Sequence, residues 1–212
     1  MIQRQNMVPA ILVIGLLSVG NAMAIEEAEY TVTLEDKPFE LREYEPHILA
    51  ETVVSSDLEG AGSKAFNRLF QYISGNNRPQ QKIAMTSPVG QSAAPRKIEM
   101  TTPVGQEQRD EGWAVSFMMP SEFTLETLPE PENPAISLRR VPARTVAAVR
   151  YSGFWNESGY EKNRAALQAW IEERGLRAVG PPTWAKYDPP FMPWFLRRNE
   201  ILVPVAEPVS DG

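Results

Sequence analysis

The chain has 212 residues, 42% of them hydrophobic, with 27 acidic against 21 basic side chains and no cysteine. A net charge of −6 without a basic cluster argues against nucleic acid or an anionic membrane surface as partner. Without cysteine there can be no disulfide, no thiolate ligation of a metal or haem and no cysteine nucleophile, so the hydrophobic core must hold the fold alone.

In chain order, the first 24 residues stand apart. Arg4 supplies a positive start, an apolar run follows from Met7 to Val19, and Ala22-Met23-Ala24 offers a small-x-small cleavage pattern. The run is shorter than the roughly 20 apolar residues that span a bilayer. The reading is a signal peptide over 1–24, with cleavage before Ile25 and export to a periplasm or the exterior. That segment carries one basic residue and no acidic one, so what remains is slightly more acidic still. Residues 25–205 suit one domain with a sizeable core, and the small, polar residues 206–212 suggest a flexible tail.

Alternation with β-branched and aromatic residues predicts strands over 39–44 and 48–54. Ser56-Asp57-Leu58-Glu59 reads as a Ser-x-x-Glu capping box. Behind it Ala65, Phe66, Leu69, Phe70 and Ile73 recur at helical spacing until Gly75-Asn76-Asn77 stops them. Next comes a short repeat: Ile83-Ala84-Met85-Thr86-Ser87-Pro88-Val89 returns as Ile98-Glu99-Met100-Thr101-Thr102-Pro103-Val104. Two strands, each ended by its Pro turn, fit this spacing. Further strands are predicted over 113–119, 136–141 and 145–151. A second helix follows Ser158, with Glu161 closing its capping box, Tyr160, Leu167, Trp170 and Ile171 as its apolar stripe, and Gly175 as its C-cap. A Pro-rich passage leads to a last strand over 199–205. The sequence around Leu41-Arg42-Glu43 and that around Leu138-Arg139-Arg140 each run into an apolar strand and a capped helix. The whole therefore reads as a duplicated strand–helix–strand–strand unit, with two helices on an antiparallel sheet in an α+β arrangement.

Residues able to carry chemistry are few. His47 is the sole histidine. It is poor material for a zinc site, but one histidine can suffice as an axial ligand of haem iron, so His47 is the candidate for that role. Ser-His-Asp chemistry has no G-x-S-x-G elbow here. Met85, Met100, Met118, Met119 and Met192 could line a pocket for a flat ligand or fill the core. The segment Tyr187–Glu200, "YDPPFMPWFLRRNE", holds three prolines that stiffen a loop carrying Phe191, Met192 and Trp194. Such an apolar surface on a loop is explained if it covers either a ligand or the barrel end. A hydrolase using Glu99 or Glu200 would need a carboxylate of raised pKa in the pocket, and no motif marks one.

At these residues the chain resembles the SOUL haem-binding family. The likeness rests on the doubled I-x-M-T-[ST]-P-V element, "WAVSFMMP" over 113–120, "VAAVRYSGFW" over 146–155 and the closing "YDPPFMPWFLRRNE", and it covers nearly all of residues 28–205. It implies a distorted antiparallel β-barrel with two helices, and non-covalent binding of haem or another porphyrin rather than catalysis. The groove it implies lies between the first helix and the Pro-rich loop. Here Phe66, Leu69, Phe70 and Ile73 would line one side, with Pro190, Phe191, Met192 and Trp194 opposite. Lys64 or Arg197 would be the cation available to a propionate. The function implied is tetrapyrrole buffering or transport outside the cytoplasm. The other reading open is a generic carrier or sensor of apolar small molecules on the same fold.

Overall fold

The computed structural model describes residues 25–79 and 95–206. The predicted signal segment, the first copy of the short repeat and residues 207–212 of the predicted tail lie outside them. Twelve strands and two helices follow in order: β1 (Tyr30–Asp36), β2 (Phe39–Tyr44), β3 (His47–Val54), α1 (Leu58–Ile73), β4 (Asn77–Arg78), β5 (Val104–Arg109), β6 (Gly112–Met118), β7 (Glu130–Pro131), β8 (Ile136–Val141), β9 (Arg144–Tyr151), α2 (Glu157–Glu173), β10 (Arg177–Ala178), β11 (Thr183–Lys186) and β12 (Asn199–Ala206). A 3-10 turn over Trp194–Leu196 precedes β12.

Antiparallel pairing links the long strands in the order β1-β2-β9-β12-β11-β5-β6-β3-β8, with β10 on the remaining part of β12. The helix-bearing unit β2-β3-α1-β5-β6 and the later unit β8-β9-α2-β11-β12 occupy mirrored places in that order. The expected barrel is not closed: among the described residues β1 and β8 are the two edges and do not pair. Among the described residues β1 pairs only with β2, and its register slips between Val32 and Leu34. Such a bulge is a common way for an edge strand to stop recruiting a further neighbour.

Period-two alternation gives the sheet two different faces. On one, Ala50, Val54, Val115 and Phe117 meet Ala61, Ala65, Leu69 and Ile73 of α1. Beside them Ala147, Val149, Ile201 and Val203 meet Tyr160, Leu167, Trp170 and Ile171 of α2. Each helix thus buries one stripe against the sheet, as the periodicity predicts. The opposite face carries paired charges, described below.

The helix starts differ from expectation. Asp57, not Ser56, caps α1, its carboxylate accepting the Gly60 N–H at 2.6 Å. Asn156, not Ser158, caps α2, accepting the Gly159 N–H at 2.8 Å. In both cases a short side chain in extended backbone three residues before a glycine satisfies the orphan N–H, which is the requirement of a cap whatever the motif. The second repeat copy also differs. Residues 98–102 form no strand, and β5 begins only after Pro103. Instead the segment is tied to its surroundings bond by bond: Ile98 N–H to Ile73 O at 2.8 Å, the Thr101 hydroxyl to Met118 O, and Thr102 N–H to Glu26 O at 2.9 Å. Ile98 is thereby sealed into the core beneath α1.

Candidate functional site

The four residues expected on α1 divide by helix geometry. Leu69 and Ile73 point into the core and are buried. Phe66 lies half-buried at the core's edge, edge-on to Phe117 with centroids 5.3 Å apart, and stacks on Phe70 at 5.9 Å. Phe70 is 45% exposed. Only Phe66 and Phe70 can therefore meet a ligand; Leu69 and Ile73 hold the helix to the sheet. A stripe that packs a helix on a sheet leaves only its margin outside.

The Pro-rich loop presents the expected aromatics outward. Phe191 is 84% exposed, Pro190 and Trp194 are exposed, and Met192 is half-buried. Three further apolar side chains extend the surface: Phe154, Phe195 and Leu196 are all exposed. Phe154 stacks on Trp194 at 5.1 Å, and Trp194 meets Phe195 edge-on at 5.6 Å. The turn before Phe154 depends on Gly153, whose φ of 145° is open to glycine and strained for other residues. Its N–H donates to Trp194 O at 3.1 Å and so ties the β9–α2 turn to the loop. The "YSGFW" passage was legible as a motif, but that Phe154 joins the loop's aromatics needs the fold.

Arg197 fixes the loop rather than standing free for a propionate. Its guanidinium donates to Met192 O at 2.8 Å and Pro190 O at 2.6 Å, and lies over the Trp155 ring at 4.5 Å. Lys64 is exposed on α1. The ring contacts of Phe66 and those of Trp194 belong to separate groups. A polar chain runs across the sheet from the start of α1 to Trp155. Gln106 donates to Leu58 O at the start of α1 at 3.1 Å, Lys186 bonds Gln106 Oε1, and the Lys186 ammonium lies 5.2 Å from the Trp155 ring centre. Trp155 in turn donates to Asn199 Oδ1 at 2.8 Å.

His47 lies elsewhere. It opens β3 on the sheet face without helices, lining a cleft with Tyr44, Arg139 and Arg144. Its Nδ1 lies 2.9 Å from Glu45 O. Burial lowers its pKa below 6.5, and Arg144 and Arg139 add to that, so the ring stays neutral in the fold. Met118 lines the same cleft, Met119 is buried in the core beneath α1, and Met100 is partly exposed.

The same face holds Glu200, which is fully buried. It accepts from Arg42 at 2.6 and 3.2 Å, from Arg198 at 2.9 Å and from the Tyr187 hydroxyl at 3.0 Å. Burial alone would raise its pKa, but the two guanidinium groups outweigh burial and hold it below 4.5. A general acid or base of raised pKa is thus not available at Glu200. Glu99 is exposed, 3.9 Å from Lys97.

Two helices on one large antiparallel sheet make this an α+β fold. The chain belongs to the SOUL heme-binding protein family, whose model matches residues 25–204. It is 27% identical to heme-binding protein 1 of Xenopus tropicalis over 164 residues, 77% of this chain and 81% of that protein. The fold is shared with the C-terminal domain of EcmrR, at a TM-score of 0.58 and 15% identity over 84% of this chain and 98% of that one. It is also shared with a hydrolase from Listeria innocua, at a TM-score of 0.52 and 15% identity over 82% of this chain and 94% of that one.

Proposed function

We propose that this protein binds haem or a related tetrapyrrole non-covalently, and buffers or carries it outside the cytoplasm. The observation that carries the reading is the exposed apolar platform made by Phe191, Trp194, Phe195 and Leu196 on the Pro-rich loop and by Phe154 in the adjoining β9–α2 turn. Exposed rings at this density are costly in water, and a flat apolar macrocycle is the ligand shape they suit. Family membership and the likeness to heme-binding protein 1 support the choice of haem. The site runs from Phe66 and Phe70 on α1 to Pro190, Phe191, Met192 and Trp194 on the loop. Arg197 holds the loop in shape, and the exposed Lys64 is the cation on α1 able to meet a propionate.

The protein acts as a binding module rather than an enzyme, a reading supported by the ion-paired state of Glu200. The mirrored strand order supports descent from a duplicated unit. His47 sits on the other face of the sheet from α1, so binding does not depend on it. The test is a haemin titration followed by absorbance, with protoporphyrin as the metal-free control. Wild-type protein and His47→Ala should bind haemin with similar affinity, and protoporphyrin should bind comparably. Failure of wild-type protein to bind either compound would refute the reading. Loss of haemin binding in a folded His47→Ala protein would move the site to the opposite face.

A further inference from the structure

The helix-free face of the sheet contains a cleft that the tetrapyrrole reading does not use. It offers about 60 Å³ of space beneath an open mouth, room for a small ion or a few waters. Leu49, Met118, Val146 and Leu202 supply apolar walls, and Tyr44 and Tyr187 supply hydroxyls. Most of the guanidinium groups on this face are neutralised. Arg139 binds Glu51 at 2.9 Å, Arg109 binds Glu107 at 2.6 Å, and Arg42 and Arg198 share Glu200.

Arg144 is different. It opens β9 at the cleft wall, and its Nε is buried without a hydrogen-bond partner among the described residues. No ion pair holds its guanidinium within 4 Å among those residues. The nearest compensating carboxylate by charge is Glu107, already engaged by Arg109 and by the Thr183 hydroxyl at 3.2 Å. Burial disfavours the charged form of Arg144, and Arg139 adds to this. A partly buried, unpaired cation in an apolar-walled cleft is costly, and an anion with an apolar body relieves the cost while filling the walls. A planar carboxylate matches the guanidinium fork.

We propose that this cleft is a second ligand site, taking a small organic monocarboxylate whose carboxylate pairs with Arg144 and whose apolar body packs on Leu49, Met118, Val146 and Leu202. It stands independently of haem binding, since the cleft lies on the face opposite α1 and is lined by none of Phe66, Phe70, Phe191 and Trp194.

The test titrates the purified full-length protein with benzoate up to 10 mM, with benzamide as the neutral isostere, followed by ¹H–¹⁵N NMR. The Arg144 Nε–H and the backbone amides of His47, Met118 and Val146 should shift saturably with benzoate and not with benzamide. Arg144→Gln should weaken benzoate binding at least tenfold, whereas Arg164→Gln, on α2 across the sheet, should leave it within about twofold. Absence of a saturable shift in the wild-type protein, equal shifts with benzamide, or unchanged binding in Arg144→Gln would each overturn the proposal. The wild-type Nε–H signal decides the matter even if Arg144→Gln fails to fold.

Discussion

The Arg42–Glu200 pair shows how much of this protein rests on single side chains. Both are almost fully buried and joined by two hydrogen bonds, and Arg198 closes Glu200 from the other side while reaching Glu27 at 2.9 Å. Removing one partner of a buried pair leaves the other charge unpaired in low dielectric, at a cost of about 3–5 kcal/mol. Glu200→Gln should therefore lower unfolding free energy by about that amount in urea titration; a change under about 1 kcal/mol would show that water reaches the pair. The pH dependence has a definite sign. A carboxylate held below 4.5 in the fold contributes stability that is present above 4.5 and is lost as pH falls through its folded value. Wild-type stability should thus fall on acidification below 4.5 more steeply than that of Glu200→Gln. From the sequence, Arg42 reads as an ordinary polar residue of a strand and Glu200 as a candidate pocket carboxylate, not as partners. Their burial follows from β2 and β12 both flanking β9, an adjacency between positions 158 residues apart that local pattern cannot carry.

Elements were legible where they bury one face. The strands predicted from alternation appear within one residue of their expected bounds, and both apolar stripes lie on the sheet. The misses have physical causes. β1 is an edge strand with most side chains exposed, so hydrophobicity does not mark it. β5 is polar because its helix-facing Gln106 serves as a buried bond to the start of α1. Cap positions were misplaced because several capping residues stand in a row, and only backbone geometry selects among them. This assignment is testable. Asp57→Ala should cost about 0.5–2 kcal/mol of stability, while Ser56→Ala should change it by much less. The reverse order in thermal or chemical denaturation would restore the Ser56 cap. The candidate site was legible only in part. Its loop stood out by composition, but α1 offered four apolar residues without showing that Leu69 and Ile73 belong to the core.

At the scale of the molecule, one sheet serves two purposes. One face packs both helices and leaves Phe66 and Phe70 on a margin, while a polar chain through Gln106 and Lys186 joins the start of α1 to Trp155. The other face is a charged, cleft-bearing surface. The proposed export rests on the sequence of the residues before Ile25. Protein recovered from its native host should begin at Ile25 on N-terminal sequencing, and recovery of a cytosolic chain retaining Met1 would contradict export. The central claim is that the loop's aromatics exist for a ligand and not for the fold. It is tested most directly by measuring haemin affinity and ligand-free thermal midpoint together in the double variant Phe191→Ala/Trp194→Ala. Burying an aromatic side chain against a ligand is worth about 1.5–3 kcal/mol, so affinity should fall about tenfold or more while the midpoint stays close to wild type. A collapsed midpoint, with the remaining folded protein binding haemin normally, would contradict the account.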